Sequence, residues 1–239
     1  MAKEDRNGCL HSEADGRFIR KSDAEKLKEL ELIYNGGVRS DTIEAAKIHK
    51  QQEPARKDPK FKLTFNPQSD EYKTKFSSIT EDHALASELH RKACELLSKC
   101  NGRNCEAIYL YDTKSKKWCI TNPGNVASEP RYTHNTYDFI AKHPNQTLLA
   151  FHNHPESLCP SYQDLNAILK NGYKKGYVLC LNGKIYEYTA PDDEIDITEF
   201  VQIRSQFLSE YKNEDELLYH IYMTLAQNHN ATIKEVTYA

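Results

Sequence analysis

The spacing of apolar residues along the chain separates a polar first third from a more strongly patterned remainder. Apolar residues recur at helical spacing over 23–34, and a second, shorter helix is predicted over 41–50. The charged, proline-containing segment that follows predicts little packing. We therefore expect residues 1–75 to form a polar N-terminal arm, partly helical or flexible and poorly packed.

Residues 76–239 show the mixture of helix and strand patterns that is typical of an α/β domain. Runs rich in β-forming residues predict strands over 106–111, 117–121, 147–152, 177–181 and 184–189. Helical periodicity predicts helices over 80–99, 133–142, 161–171 and 197–228, the last with Asn213 as its break point. The pattern predicts an α/β fold in which helices accompany a sheet.

Composition narrows the classes of function. Hydrophobic residues make up 38% of the chain and charged residues 28%, and the formal net charge is -3. Strong nucleic-acid binding draws on a clear surplus of Lys and Arg, so this near-balance argues against it. No apolar run is long enough to span a membrane, and the N-terminus lacks the apolar core of a secretion signal, which favours a cytoplasmic protein. The seven cysteines include no Cys-x-x-Cys pair, which argues against a disulfide framework or a four-cysteine zinc site.

Candidate chemistry is concentrated at the end of the predicted central strand, in the segment FHNHPESLCPSYQD. Because side chains alternate along a strand, His152 and His154 point the same way. Pro155 turns the chain, and the loop brings Asp164, on the first turn of the next helix, back towards the pair. Two imidazoles and one carboxylate make a three-ligand zinc site with an open position for water, which is the catalytic arrangement.

A zinc-bound water needs a base, and a carboxylate usually supplies it. Glu106 is the candidate, since it begins a strand with apolar and aromatic neighbours; the alternative is a surface-facing strand residue. Asp164 and Ser161 also fit the first turn of a helix as capping residues, and a cap and a functional role are compatible. Cys159 lies inside the loop, where a buried filler is a simpler interpretation than a fourth ligand.

In these residues the chain resembles the JAB/MPN (JAMM) metallopeptidases, whose pattern is an upstream Glu followed by His-x-His-Pro and Ser-x-x-Asp. The matching positions are Glu106, His152-Asn153-His154-Pro155 and Ser161-Tyr162-Gln163-Asp164. The sequence of these motifs is especially close to that of the RadC-like branch. The resemblance covers about residues 105–189. It implies a cytidine-deaminase-like JAB/MPN fold, with a mixed, curved sheet flanked by helices, in which His152, His154 and Asp164 bind Zn²⁺. Glu106 would then be the general base, and Ser161 would stabilise the oxyanion.

The resemblance also implies an activity, the hydrolysis of amide or isopeptide bonds in a protein or peptide substrate. The interval from His154 to Asp164 is one position shorter than the family pattern. This short loop, with the Gly-Tyr-x-x-Gly-Tyr and Lys-x-Tyr-x-Tyr segments after it, is similar to copies in Gram-positive phages and mobile elements. A ubiquitin-like conjugate or a phage structural protein is therefore the expected substrate. The alternatives are a non-catalytic binding or assembly module of the same fold and a RadC-like role near DNA. An HNH nuclease is excluded, because its residues are dispersed over a ββα unit.

Overall fold

A computed structural model of the chain describes residues 2–4, 10–12, 18–19, 56–123, 130, 132–143 and 146–238. Contacts divide the chain into two units, Met1–Gln52 and Glu53–Ala239. In the first unit an antiparallel sheet has the order β1 (Ala2–Glu4), β2 (Leu10–Ser12) and β3 (Phe18–Ile19). The helices predicted over 23–34 and 41–50 fall outside the described residues.

The second unit alternates helices and strands, as the apolar pattern predicts. Its helices are α1 (Asp70–Thr74), α2 (His83–Cys100), α3 (His134–Lys142), α4 (Tyr162–Asn171), α5 (Ile197–Phe207) and α6 (Glu214–Asn228). Its strands are β4 (Ile108–Asp112), β5 (Lys117–Ile120), β6 (Leu148–His154), β7 (Lys175–Cys180), β8 (Ile185–Tyr188) and β9 (Ile233–Glu235). No helix among the described residues is long and apolar enough to cross a membrane.

The six strands of this unit form one mixed sheet in the order β5-β4-β6-β7-β8-β9. Only β6 and β7 pair in parallel among them, and α4 connects these two strands, because parallel neighbours need a crossover connection. The other neighbours pair antiparallel. The expectation of an α/β fold with a mixed sheet flanked by helices is confirmed.

Both faces of the sheet are covered, which explains why its central strands are apolar on both sides. On the first face α2 packs against alternate strand residues, and this core includes Leu89, Leu96, Leu97, Tyr109, Phe151, Tyr177 and Leu179. On the second face the other strand residues pack against α4, α5 and α6, and this core includes Ile108, Leu110, Leu148, Val178, Leu165, Ile168, Ile203 and Ile221. The residues of the candidate site lie at one end of this second face.

Three features of the unit differ from, or add to, the pattern in the sequence. Residues 56–75 were assigned to the N-terminal arm; here Phe61 and Tyr72 of this segment are buried in the first core. The C-terminal helix is divided into α5 and α6, and Asn213 caps α6 through a hydrogen bond from the N–H of Asp215. The short strand β9 was not predicted, because a three-residue strand shows no periodicity of its own.

Candidate metal centre

The two histidines stand at the carboxyl end of β6, in the middle of the sheet. Their positions follow from strand alternation, since Leu148, Ala150, His152 and His154 share one face. His152 is 3% exposed, and His154 is partly exposed at the strand end. The expected common direction of the two rings is observed, with a distance of 3.0 Å between their Nε2 atoms.

Glu106 precedes β4, the antiparallel neighbour of β6. In the pairing of these strands Ile108 lies opposite His152. Glu106, two residues before Ile108, therefore lies on the same face of the sheet, at the level of His154. The side chain is buried rather than surface-facing, with 6% of the residue exposed. Its backbone also forms a parallel bridge with Pro130. The alternative of a surface-facing strand residue is therefore wrong for Glu106.

Asp164 is brought to the histidines by the first turn of α4. Ser161 is the N-cap of this helix: its Oγ accepts the N–H of Asp164, and its own N–H donates to the Asp164 carboxylate. This reciprocal arrangement is a capping box with Asp in the place of Glu, as the sequence indicates. The Ser161 hydroxyl also donates to Oδ2 of Asp164 at 2.7 Å. The cap therefore fixes the direction of the Asp164 carboxylate.

The imidazoles and carboxylates converge at distances that suit a metal ion. The Nε2 atoms of His152 and His154 lie 3.2 Å and 3.3 Å from the two carboxylate oxygens of Asp164. The ligand atoms of Glu106, His152 and His154 lie within 4.8 Å of one another. Atoms that bind a tetrahedral zinc ion at about 2.0–2.1 Å are about 3.4 Å apart. The buried cluster of Glu106, His152 and His154 could hold a metal ion.

The electrostatics of the cluster favour a cation at its centre. The Leu158 carbonyl lies 3.0 Å from Nδ1 of His154 and accepts a hydrogen bond from it, so that Nε2 of this ring faces the other groups of the cluster. Burial lowers the pKa of His154, but the nearby Asp164 carboxylate outweighs burial and raises it to about 9. Burial lowers the pKa of His152. Burial also opposes ionisation of Asp164, yet the two histidines hold its pKa well below the ordinary value. A proton or a metal ion between the imidazole nitrogens and the carboxylate oxygens offsets the repulsion between their lone pairs.

A tyrosine from two strands away contacts the first histidine. The Tyr188 hydroxyl, on β8, lies 3.5 Å from Nδ1 of His152. To reach it, the Tyr188 ring crosses β7 above Gly176, which stands opposite Tyr188 in the strand pairing. A Cβ at Gly176 would collide with that ring. The close approach of Tyr188 to the centre therefore requires glycine at position 176.

The partly exposed side of the centre is the side of His154 and Asp164, whose side chains are 12% and 19% exposed. A cleft of about 440 Å³ runs past the loop after His154; it is lined by Pro155, Glu156, Ser157, Leu158, Lys60, Lys62, Leu181, Asn182, Glu214 and Asp215, among others. None of the four candidate ligands lines this cleft. Cys159 is buried in the second core, in agreement with its interpretation as a filler.

The structure thus brings together all five residues that the sequence predicts for the site, Glu106, His152, His154, Ser161 and Asp164. Sequence reasoning missed Tyr188 and Gly176, although the Lys-x-Tyr-x-Tyr and Gly-Tyr segments that contain them were noted. It also missed Asn153, which lies between the histidines and is fully buried.

Comparisons with protein-family models, with curated proteins and with solved structures find no match to this chain. The arguments for function therefore rest on the fold and on the geometry of the centre.

Proposed function

We propose that the chain is a zinc-dependent hydrolase of amide or isopeptide bonds, with a JAB/MPN-type arrangement of its catalytic residues. One observation carries this proposal: two imidazoles and two carboxylates from three separate elements converge in a buried cluster. Imidazole nitrogens and carboxylate oxygens are the ligands of catalytic zinc sites. The proposed ligands are His152, His154 and Asp164, which leaves Glu106 to act on a water molecule.

Bound zinc would supply a Lewis acid that lowers the pKa of a water molecule and polarises the scissile carbonyl. Glu106 accepts a proton from the attacking water on a carboxylate oxygen and passes it to the nitrogen of the leaving amine. The burial of Glu106 beside the histidines suits this exchange, because it keeps bulk water away from the proton transfer. The partly exposed side of His154 and Asp164 is where the substrate carbonyl would approach.

Ser161 has two proposed roles. Its backbone and hydroxyl bonds hold the Asp164 carboxylate towards the histidines. Its hydroxyl would serve the oxyanion of the tetrahedral intermediate after turning from Asp164 towards the substrate. The first role uses contacts that are present in the structure, and the second follows from the resemblance to JAMM peptidases.

The proposed substrate is a protein or peptide, either a ubiquitin-like conjugate or a structural protein of a phage or mobile element. The test is cleavage of a panel of ubiquitin-chain and fluorogenic peptide substrates by zinc-loaded protein. We expect activity that is lost on chelation and restored by zinc, and a fall of about 10²–10⁴-fold in Glu106→Gln with zinc retained.

The matched control for this test is Glu187→Gln, which changes a buried carboxylate that is paired with Lys175. This variant should cleave at the parent rate when folded. Parent-like cleavage by Glu106→Gln would contradict the proposal. Binding of a panel member without cleavage, unaffected by His154→Ala, would favour the non-catalytic module instead.

A further inference from the structure

The residue between the two histidines, Asn153, is buried, and its side-chain amide lies between β6 and the segment that leads into β4. Its side-chain amide makes two hydrogen bonds to the backbone on either side of Glu106. Oδ1 accepts the N–H of Ala107 at 3.0 Å, and Nδ2 donates to the carbonyl of Cys105 at 2.9 Å. One side chain of the ligand-bearing strand therefore holds the backbone that carries the proposed base.

These two bonds replace the pairing that the sheet would otherwise make. The backbone ladder between β4 and β6 has its last pair at Ile108 and His152. At the next position along β6, the side-chain amide of Asn153, and not its backbone, forms the hydrogen bonds to the neighbouring segment. The amide of Asn153 thereby ties β6 to the backbone on either side of Glu106, at the level of His154.

We propose that Asn153 is a positioning residue that holds Glu106 against the open position of the metal centre. This inference rests on the proposed function, because it assumes that Glu106 faces that position. Asparagine suits the role, since its amide offers a donor and an acceptor in one plane, as a peptide group does. Aspartate lacks the donor and would bury a charge. A purely structural Asn153 would instead support the strand start with no effect that depends on Glu106.

The test uses Co²⁺-loaded protein and azide, an anion that replaces the metal-bound water and changes the visible spectrum. A carboxylate beside the open position repels the anion, so Glu106→Gln should increase azide affinity, by about tenfold or more. Asn153→Ala frees Glu106 to move away from the open position. The fold increase in azide affinity in this variant should be at least a third of the fold increase in Glu106→Gln. In the Glu106→Gln background, Asn153→Ala should have no further effect, because its influence acts through Glu106.

Controls separate this effect from loss of stability. Asn166→Ala removes another buried amide with two backbone bonds, to the N–H and carbonyl of Ile195, and should leave azide affinity unchanged. Asn153→Ser gives a second variant in case the alanine variant does not fold, and metal content is measured for each protein. Equal azide affinity in parent and Asn153 variants, or the same increase in both backgrounds, would overturn the role of Asn153. Unchanged azide affinity in Glu106→Gln would instead overturn the proposed function.

Discussion

Single residues around the centre hold its candidate ligands in place, through a backbone or a side-chain group, without belonging to the ligand set. Leu158 fixes the ring of His154 through its carbonyl, and Tyr188 approaches the ring of His152 across β7. Partners of this kind orient imidazole ligands and raise their basicity, and their loss commonly costs 10–100-fold in metal affinity. The Tyr188 hydroxyl is thus expected to matter for binding a metal ion more than for folding.

Tyr188→Phe should lower zinc affinity about tenfold and change the melting temperature little, because the ring that fills the core is kept. Gly176→Ala should lower both, since its methyl group displaces the Tyr188 ring. Competition with a chromogenic chelator measures the affinity. The matched control is Tyr177→Phe, which removes a buried hydroxyl bonded to Glu187. An equal loss of zinc affinity in Tyr177→Phe would contradict a specific role for Tyr188.

The residues that converge in the cluster could be predicted from the sequence, and the residues that support them could not. His-x-His on a strand and a carboxylate on the next helical turn are local patterns that ligand chemistry makes informative. Tyr188 meets His152 through the register of three strands, and Asn153 meets Glu106 through the register of two. Register between strands depends on the whole sheet, so neither contact is visible in a single sequence.

Among the elements, β6 and α4 together present three of the four candidate ligands. The strand ends at His154, and the helix begins at Tyr162 with its N-terminus directed towards the cluster. A carboxylate in the first helical turn is stabilised by the helix dipole and by capping N–H groups. The short loop from Pro155 to Pro160 is sufficient to bring Asp164 to both imidazoles.

Ser161→Ala should cost about 1 kcal/mol of stability through loss of the helix cap. It should also weaken zinc binding, because the Asp164 carboxylate loses its bond from the Ser161 hydroxyl. Thr133→Ala is the matched control, since Thr133 forms the corresponding capping box of α3. Chemical denaturation and chelator competition measure the two effects. Equal zinc affinity in both variants would show that Ser161 acts on the helix alone.

The β4–β5 hairpin gives a pH-dependent contribution to stability. Burial raises the pKa of Asp112, but hydrogen bonds from Ser115 and Thr147 outweigh burial and lower it to about 2. The pKa of an unfolded Asp is about 3.9, so this carboxylate stabilises the fold above that pH and less as the pH falls towards 2.

Asp112→Ala should therefore be less stable than the parent at pH 7, with the difference narrowing below pH 4. Urea unfolding from pH 3 to 7 measures this difference. Asp138→Ala, which changes an exposed carboxylate, should show no such trend. A difference that stays constant over the range would contradict the role of the Asp112 charge.

Most elements were predictable because each has a local pattern of its own, such as the helical periodicity of α2 and the continuous apolar run of β6. The boundaries moved where capping decided them, for example at Asp82, whose side chain accepts two N–H groups at the start of α2. The packing of residues 56–75 was not predictable. Phe61 and Tyr72 stand in a polar segment, and their burial depends on a surface formed by distant elements.

Over the second unit as a whole, the sheet and its two helical layers place the centre at the edge of the second core. The three proposed ligands come from the end of β6 and the start of α4, so a bound ion would cross-link these two elements beside Glu106, which lies just before β4. Binding to the folded state alone stabilises that state by mass action. Zinc should accordingly raise the melting temperature of the parent.

The central claim is that His152, His154 and Asp164 hold a zinc ion. The most direct measurement is the zinc content of purified protein by elemental mass spectrometry, beside Asp164→Ala and the control Asp196→Ala. Asp196 is the N-cap of α5, so it is also an acidic residue at the start of a helix, but it lies outside the centre. We predict about one zinc per chain in the parent and the control, and little in Asp164→Ala. Zinc absent from all three proteins, or retained in full by Asp164→Ala, would contradict the account.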